Sequence, residues 1–376
     1  EDIPVALSGD EQVEYRRRSV EMATLAMKNQ DIFPIKEEIE IPGSFPNIRS
    51  LVYWDAEPVN LDFRILDDKI AVQGELKVFC MYAGDGEKEE LYHYETAVPF
   101  SGSVECPGCR EGMIPVIEYE VENGELSIRP DYDGEERILF ADLGIRIFYC
   151  IYEEENVEMI GDVYGVSNEV EESSKPITFR RLLARANGKC KVSGHFKAGQ
   201  GAGIYRVIHT TGDLILDEQE ETENGIRLSG QIKLRILYED SNEDKRFGVI
   251  RGEVPFEYLL EAEGMMPGTI SFVQPQMEQI AVSVIDTDEV DVKCVILFRG
   301  DLFAAWEEQV AEQITLSPLD LEKQSALPGI AVYRMKDGES LWDIGKRYYV
   351  SIETLMQTNN LTSQEVRPGE KILIVK

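Results

Sequence analysis

Strict alternation of apolar and polar positions marks the clearest element of this chain. Ile70, Val72, Gly74, Leu76, Val78, Cys80 and Tyr82 fall on one side of residues 70–82, with Gln73, Glu75 and Lys77 among those opposite. A period of two predicts a β-strand with one buried and one solvated face. The pattern returns at 226–238 as Ile226, Leu228, Gly230, Ile232, Leu234, Ile236 and Tyr238, each 156 positions after its counterpart. An acidic turn follows both strands (Gly84-Asp85-Gly86-Glu87; Asp240-Ser241-Asn242-Glu243). A second strand then ends in Val98-Pro99-Phe100 and in Val254-Pro255-Phe256, again 156 apart. Further strand-like runs cover Leu126 to Arg129 and Leu139 to Ile151, then Ile280 to Ile285 and Val290 to Phe298. The chain thus holds a duplicated β-domain, and its polar opposite faces predict antiparallel, sandwich-like sheets. We place the two copies at 31–172 and 186–316. Gly74 and Gly230, at the same mid-strand position, predict a bulge or a close backbone approach.

Outside the repeats the period changes. Val13, Val20 and Met27 lie at heptad spacing beside Arg16-Arg17-Arg18, so residues 10–29 read as a helix and 1–30 as a helical or linking segment. Glu169 to Pro176 reads as an inter-repeat linker. Residues 317–329, holding Pro318 and Pro328, read as a tether spanning on the order of 20 Å. In 330–376, Leu341, Ile344 and Tyr348, then Ile352, Leu355 and Met356, recur at helical spacing between two short apolar strands. Ser340 with Asp343, and Ser351 with Thr354, supply N-caps, and Asn359 or Asn360 a left-handed C-cap. A β-α-α-β unit this small has little core, so Leu341, Ile344, Leu355 and Ile372 are expected to form it.

Composition narrows the function. The 376 residues are 43% apolar, enough for two or three cored domains, and the net charge is −33. Residues 330–376 carry seven Lys/Arg against six Asp/Glu, so the negative charge belongs to the rest of the chain. Such a surface repels phosphate backbones and anionic membranes and argues against nucleic acid as a partner. It suits solubility or a basic protein partner equally. No run approaches the length of a transmembrane helix. Six cysteines are sparse for this length, and four sit in apolar strand-like runs, which favours free thiols in a reducing cytosol.

Catalytic signatures are few. Cys106-Pro107-Gly108-Cys109 has metal or redox spacing, but no second CxxC or His pair completes a zinc set, and Gly112 and Pro115 oppose the helix that a redox pair requires. Cys106 and Cys109 are therefore only weak metal candidates, and a structural turn is expected. Gly199-Gln200-Gly201-Ala202-Gly203 lacks the Lys-Ser/Thr of a phosphate loop and reads as a turn. Neither a cofactor nor an enzyme activity is expected.

The run Ala331-Val332-Tyr333-Arg334-Met335-Lys336-Asp337-Gly338-Glu339-Ser340-Leu341-Trp342-Asp343-Ile344-Gly345-Lys346-Arg347-Tyr348 resembles the opening of a LysM domain, and Asn359-Asn360, Pro368-Gly369 and Lys371 to Val375 continue the likeness. Two acidic β-repeats before a LysM module, the first carrying Val98-Pro99-Phe100-Ser101-Gly102 and Cys106 to Met113, resemble the SPOCS-domain family of endospore-forming bacteria. The resemblance implies a mainly β fold, with two tandem SPOCS domains and a small LysM domain. Relatives often have a further SPOCS-type region upstream, so residues 1–30 would then link domains. It also implies a non-enzymatic adaptor in the mother-cell cytosol at the forespore surface. There the LysM domain would tether a SpoIVA-like coat scaffold ATPase. The alternative is an exported wall protein whose LysM domain binds peptidoglycan or a chitin-type glycan. Carried over by residue, the LysM groove would be Gly338, Glu339, Ser340, Leu341 and Trp342 on one side and Asn359, Asn360, Leu361 and Thr362 on the other. Glu339 stands where the family has Asp, and Thr362-Ser363-Gln364-Glu365 is more polar than usual. Trp342 and Tyr349 read either as exposed anchors or as partly buried. Charge reversal at Glu339 is expected to weaken partner binding without unfolding the module.

Overall fold

The computed structural model describes residues 13–86, 90–199, 201, 203–242, 246–320, 322, 325 and 327–376. The first repeat comprises β1 (Val13–Glu40), β2 (Ile48–Leu66), β3 (Lys69–Gly84), β4 (Leu91–Glu105), β5 (Ile114–Val121), β6 (Glu125–Pro130) and β7 (Glu136–Gly165). The second comprises β8 (Asn168–Lys197), β9 (Ile204–Thr222), β10 (Gly225–Asp240), β11 (Phe247–Glu261), β12 (Ile270–Asp286) and β13 (Glu289–Pro318). In the first, the sheet β2-β3-β4 is antiparallel, and β7 pairs with β1, β5 and β6. The second repeats the plan with β9-β10-β11 and β12-β13-β8. Apolar faces of the paired sheets meet in one core per repeat. Ile70, Leu76 and Tyr82 join Ile145 and Ile147 in the first, and Ile226, Ile232 and Ile236 join Val292 and Ile296 in the second.

The glycine and the Val-Pro-Phe tripeptide are repeated for one reason. Gly74 is the cross-strand partner of Phe100, and Gly230 that of Phe256. A Cβ on Gly74 would lie 2.9 Å from the Phe100 ring, and one on Gly230 2.8 Å from the Phe256 ring and 2.1 Å from the Ile215 carbonyl. Each ring therefore covers the backbone of a residue that must have no side chain. The β9–β10 register also shifts between Ser229 and Gly230, a bulge of the kind the mid-strand glycine suggests. Pro99 and Pro255 sit on β4 and β11, which end their sheet orders, where a missing N–H costs no ladder bond on the open side.

Two expectations are corrected. Residues 13–29 are strand, not helix: they open β1, which pairs with β7. Met22 and Ala23 are both buried, in separate clusters, so neither face alternates cleanly and the heptad spacing was coincidental. Glu169 to Pro176 is not a linker either. It belongs to β8, where Ser173 donates to the Gln313 carbonyl at 3.4 Å and Ser174 to Gln309 at 3.2 Å. These segments correspond to each other in the two repeats, and their polarity reflects solvated faces rather than a lack of pairing. Of the tether, Ser317 and Pro318 complete β13 and Leu319 is buried. Residues 321, 323, 324 and 326 lie outside the described residues, as do Glu87, Gln200, Ala202 and Glu243 of the turns noted above.

By compactness the chain divides into two units. The larger, 23–154 and 181–305, holds both sandwich cores. Within it the repeats touch through Phe79, Met81 and Ile208, flanked by Leu91, Leu237 and Phe247. One end of the β3 face expected to be solvated is therefore covered, with Phe79 fully buried. The smaller unit, 13–22, 155–180 and 306–376, holds ends of β1, β7, β8 and β13, packed around Met159, Phe179 and Val310, together with the C-terminal module.

Candidate binding site in the C-terminal module

The module runs β14 (Ile330–Arg334), α1 (Leu341–Tyr348), α2 (Ile352–Asn359) and β15 (Lys371–Val375), with β14 and β15 antiparallel. Its turns are set by local chemistry. Gly338 (φ +80°) and Gly369 (φ +86°) take left-handed conformations that a Cβ would strain. Ser340 caps α1 in a full capping box with Asp343, which satisfies N–H groups at the helix start, and Ser351 caps α2 through the Thr354 N–H. Tyr349 and Asn360 close the two helices in the left-handed region. Leu341, Ile344, Leu355 and Ile372 lie in the core with Val350, Ile352 and Ile374.

Of the groove residues, several are already engaged inside the module. The Glu339 carboxylate accepts from the Tyr333 hydroxyl at 2.9 Å, the Lys336 N–H at 3.1 Å and Arg347 at 3.0 Å. Burial opposes its charge, but these donors hold its pKa below the ordinary value. Glu339 is thus a strut of its own loop, and removing it would disturb that loop as well as any partner. Asn359 donates to the Leu355 and Leu373 carbonyls at 2.8 and 2.7 Å and accepts from the Leu373 N–H at 2.7 Å, tying α2 to β15. Ser340 is consumed in capping and Leu341 in the core, where Leu361 packs against the same cluster. Gly338, Asn360 and Thr362 remain exposed.

Trp342 is buried at 8% exposure, and Tyr349 is half-buried. The Trp342 indole N–H donates to Asp162 at 2.7 Å, and its ring meets Tyr164 edge-on at 4.9 Å. Tyr164 in turn donates to the Val350 carbonyl at 2.9 Å. Lys346, one turn after Trp342, reaches the same Asp162 at 2.6 Å, and the Arg16 guanidinium lies 5.4 Å from the indole. Burial works against the Asp162 charge, yet Lys346 and Trp342 keep its pKa below the ordinary value. One face of α1 is therefore covered by the ends of β1 and β7. Asp162 and Tyr164 were not singled out in sequence, because partners about 180 positions apart leave no local pattern.

The outer face of the two-stranded sheet is open. Cross-strand pairs Ile330–Val375 and Val332–Leu373 leave four aliphatic side chains exposed, with Arg334 opposite Lys371 at one end. Sequence reasoning placed β14 and β15 but did not single out this face.

The Cys106–Cys109 turn is structural. Both thiols are buried: Cys109 donates to the Leu66 carbonyl at 3.1 Å, and Cys106 lies 3.1 Å from the Met27 sulfur. Burial, with Cys109 alongside, pushes the Cys106 thiol up to about 12. The Gly108 N–H donates to Asp68 at 2.7 Å, fixing the turn. Among the described residues no cluster of three His, Cys, Asp or Glu could hold a metal, and no helix is long and apolar enough to cross a membrane.

The family described as SipL, SPOCS domain, matches at residues 47–129 and again at 203–285, and the LysM domain matches at 333–375. The two SPOCS matches are offset by the same 156 residues that separate the repeats. An uncharacterized protein, YkzQ of Bacillus subtilis (strain 168), is 37% identical over 43 residues, which is 11% of this chain and 57% of that protein. The chain thus spans just over half the length of this relative. No solved structure matches the chain.

Proposed function

We propose that this chain, a SipL-like sporulation protein with two SPOCS domains and a C-terminal LysM domain, is a non-enzymatic adaptor in endospore coat morphogenesis. Both domain types are non-catalytic. In this reading the LysM domain holds a SpoIVA-like coat scaffold ATPase, and the SPOCS domains mediate assembly at the forespore surface, in the mother-cell cytosol.

The observation that carries the reading is the exposed face of β14 and β15. Ile330 and Val332 are 69% and 65% exposed, beside Leu373 and Val375. Contiguous aliphatic side chains with Arg334 and Lys371 at their edge suit a protein surface better than a sugar, which needs aromatic platforms and convergent polar groups. The polar side chains of the groove point the same way, since Glu339, Ser340 and Asn359 are bonded within the module. Six free cysteines among the described residues accord with a reducing compartment. Peptidoglycan remains the second reading, because a LysM domain suggests it and Gly338, Asn360 and Thr362 present exposed groups at the groove.

The test sets the purified full chain against the scaffold ATPase and, separately, against insoluble peptidoglycan. Binding to the ATPase that falls at least about ten-fold in Val332→Asp, with the melting transition intact, is the expected result. Cosedimentation with the wall and no affinity for the ATPase would reverse the order of the two readings.

A further inference from the structure

The register of the two repeats lines up position by position, and at one place the equivalent residues carry opposite chemistry. In the first repeat Phe79 on β3 is the cross-strand partner of Glu95 on β4. Their equivalents, 156 residues on, are Arg235 on β10 and Arg251 on β11, also direct partners. Like charges facing each other across an antiparallel pair are unfavourable unless something neutralises them. Arg235 is answered by Asp213 at 3.1 Å. Among the described residues no carboxylate pairs with Arg251.

These arginines flank a cleft of about 380 Å³ between the repeats. Met81, Leu237, Phe247 and Val249 supply its apolar lining, and Tyr53 and Thr211 add hydroxyls beside the guanidinium groups. We propose that this cleft binds a small monoanionic amphiphile, a medium-chain carboxylate, with its head on Arg251 and Arg235 and its chain against Met81, Leu237 and Phe247.

Three features define that ligand class. A guanidinium presents two parallel N–H groups that match a carboxylate in a fork, and Arg251 has that fork unspent. An apolar wall beside a few polar groups, at this volume, suits a ligand with a short hydrocarbon body. The charge of −33 repels multiply charged anions more strongly than a monoanion, which disfavours nucleotides and polyphosphates. The first repeat needs no such ligand. There Glu95 is answered by Lys77 of the same repeat at 2.9 Å and by His209 of the second at 3.8 Å.

Calorimetric titration of the full chain with octanoate tests this, with octanol, octylamine and inorganic phosphate as comparison probes. Octanoate is expected to bind, and Arg251→Gln and Val249→Asp each to weaken it at least about ten-fold. Both positions are exposed, and an unchanged thermal transition shows that each variant folds. Absence of octanoate binding to the parent chain overturns the proposal. So does equal affinity for octanol, which needs no cation, or for phosphate, which needs no apolar wall. Unchanged octanoate binding in Arg251→Gln would also remove it. None of these substitutions lies in the sequence of the C-terminal module, so the result is separate from that of the adaptor reading.

Discussion

The two β-repeats share strand order and register, yet they close their shared boundary by different means. The first contributes Phe79, Glu95 and Asp55, which enclose His209 of the second. The imidazole stacks on Phe79 at 4.0 Å, its Nε2 lies 3.2 Å from Asp55, and its Nδ1 is buried without a hydrogen-bond partner within range. The equivalents of these groups are Arg235, Arg251, Thr211 and Tyr53, which leave an open cleft. Duplication thus conserved the core-facing side of each strand and released the other. Core positions must fill fixed space at crystal-like density, whereas a face opposite the core answers only to whatever covers it.

The shared part of the comparison is broken most severely at the phenylalanines. Phe100→Ala and Phe256→Ala should each destabilise by about 3–5 kcal/mol, because both remove a ring seated over a bare glycine. Denaturant unfolding checks this, and a large difference between the two would show that the repeats are not equivalent at their cores. The glycines should separate the repeats. Gly230→Ala would come within 2.1 Å of the Ile215 carbonyl and is expected to cost about 2–3 kcal/mol, whereas at Gly74 the nearest carbonyl, that of Val59, lies 3.0 Å away, so Gly74→Ala should cost less.

His209 sharpens the difference through pH. Burial disfavours its charge, but Asp55 and Glu95 outweigh burial and raise its pKa above 6.5. A raised basic pKa gives stability that is fully present below 6.5 and lost as pH rises through the folded value. Glu95 runs the other way: the His209 imidazole beside it at 3.8 Å, helped by Lys77, lowers it to about 2, so its share is present above 4.5 and lost as pH falls toward 2. The melting temperature of the parent chain should therefore exceed that of His209→Gln by the widest margin between about pH 5 and 6.5 and converge on it in alkali. Parallel curves across that range would remove the charged triad. The smallest effect belongs to the C-terminal module. Trp342→Phe keeps the ring but loses the bond to Asp162, and should cost about 1–2 kcal/mol in that module's unfolding.

Legibility followed locality. The strands β3 and β10, the close approach at the repeated mid-strand glycines and the caps at Ser340 and Ser351 were readable, because each rests on residues close in sequence or on a duplicated pattern. The opening of β1 and of β8 was not, since polar strands with solvated faces lack a periodic signal and are fixed by partners more than a hundred positions away. Trp342 shows the same limit within the candidate site. Its place on α1 was evident from spacing, but its burial depends on Asp162 and Tyr164 at the end of β7.

The sequence by itself determined the duplication, the mainly antiparallel strands, the small β-α-α-β module and its core, because alternation, helical spacing and capping are properties of neighbouring residues. Tertiary structure alone decided which polar groups are spent and which are free. Glu339 became a loop strut, His209 a buried imidazole between two acids, and Arg251 a guanidinium beside a cleft with no carboxylate partner among the described residues. The reason is that the energy of a charge depends on what surrounds it in space, and long-range pairing sets those surroundings.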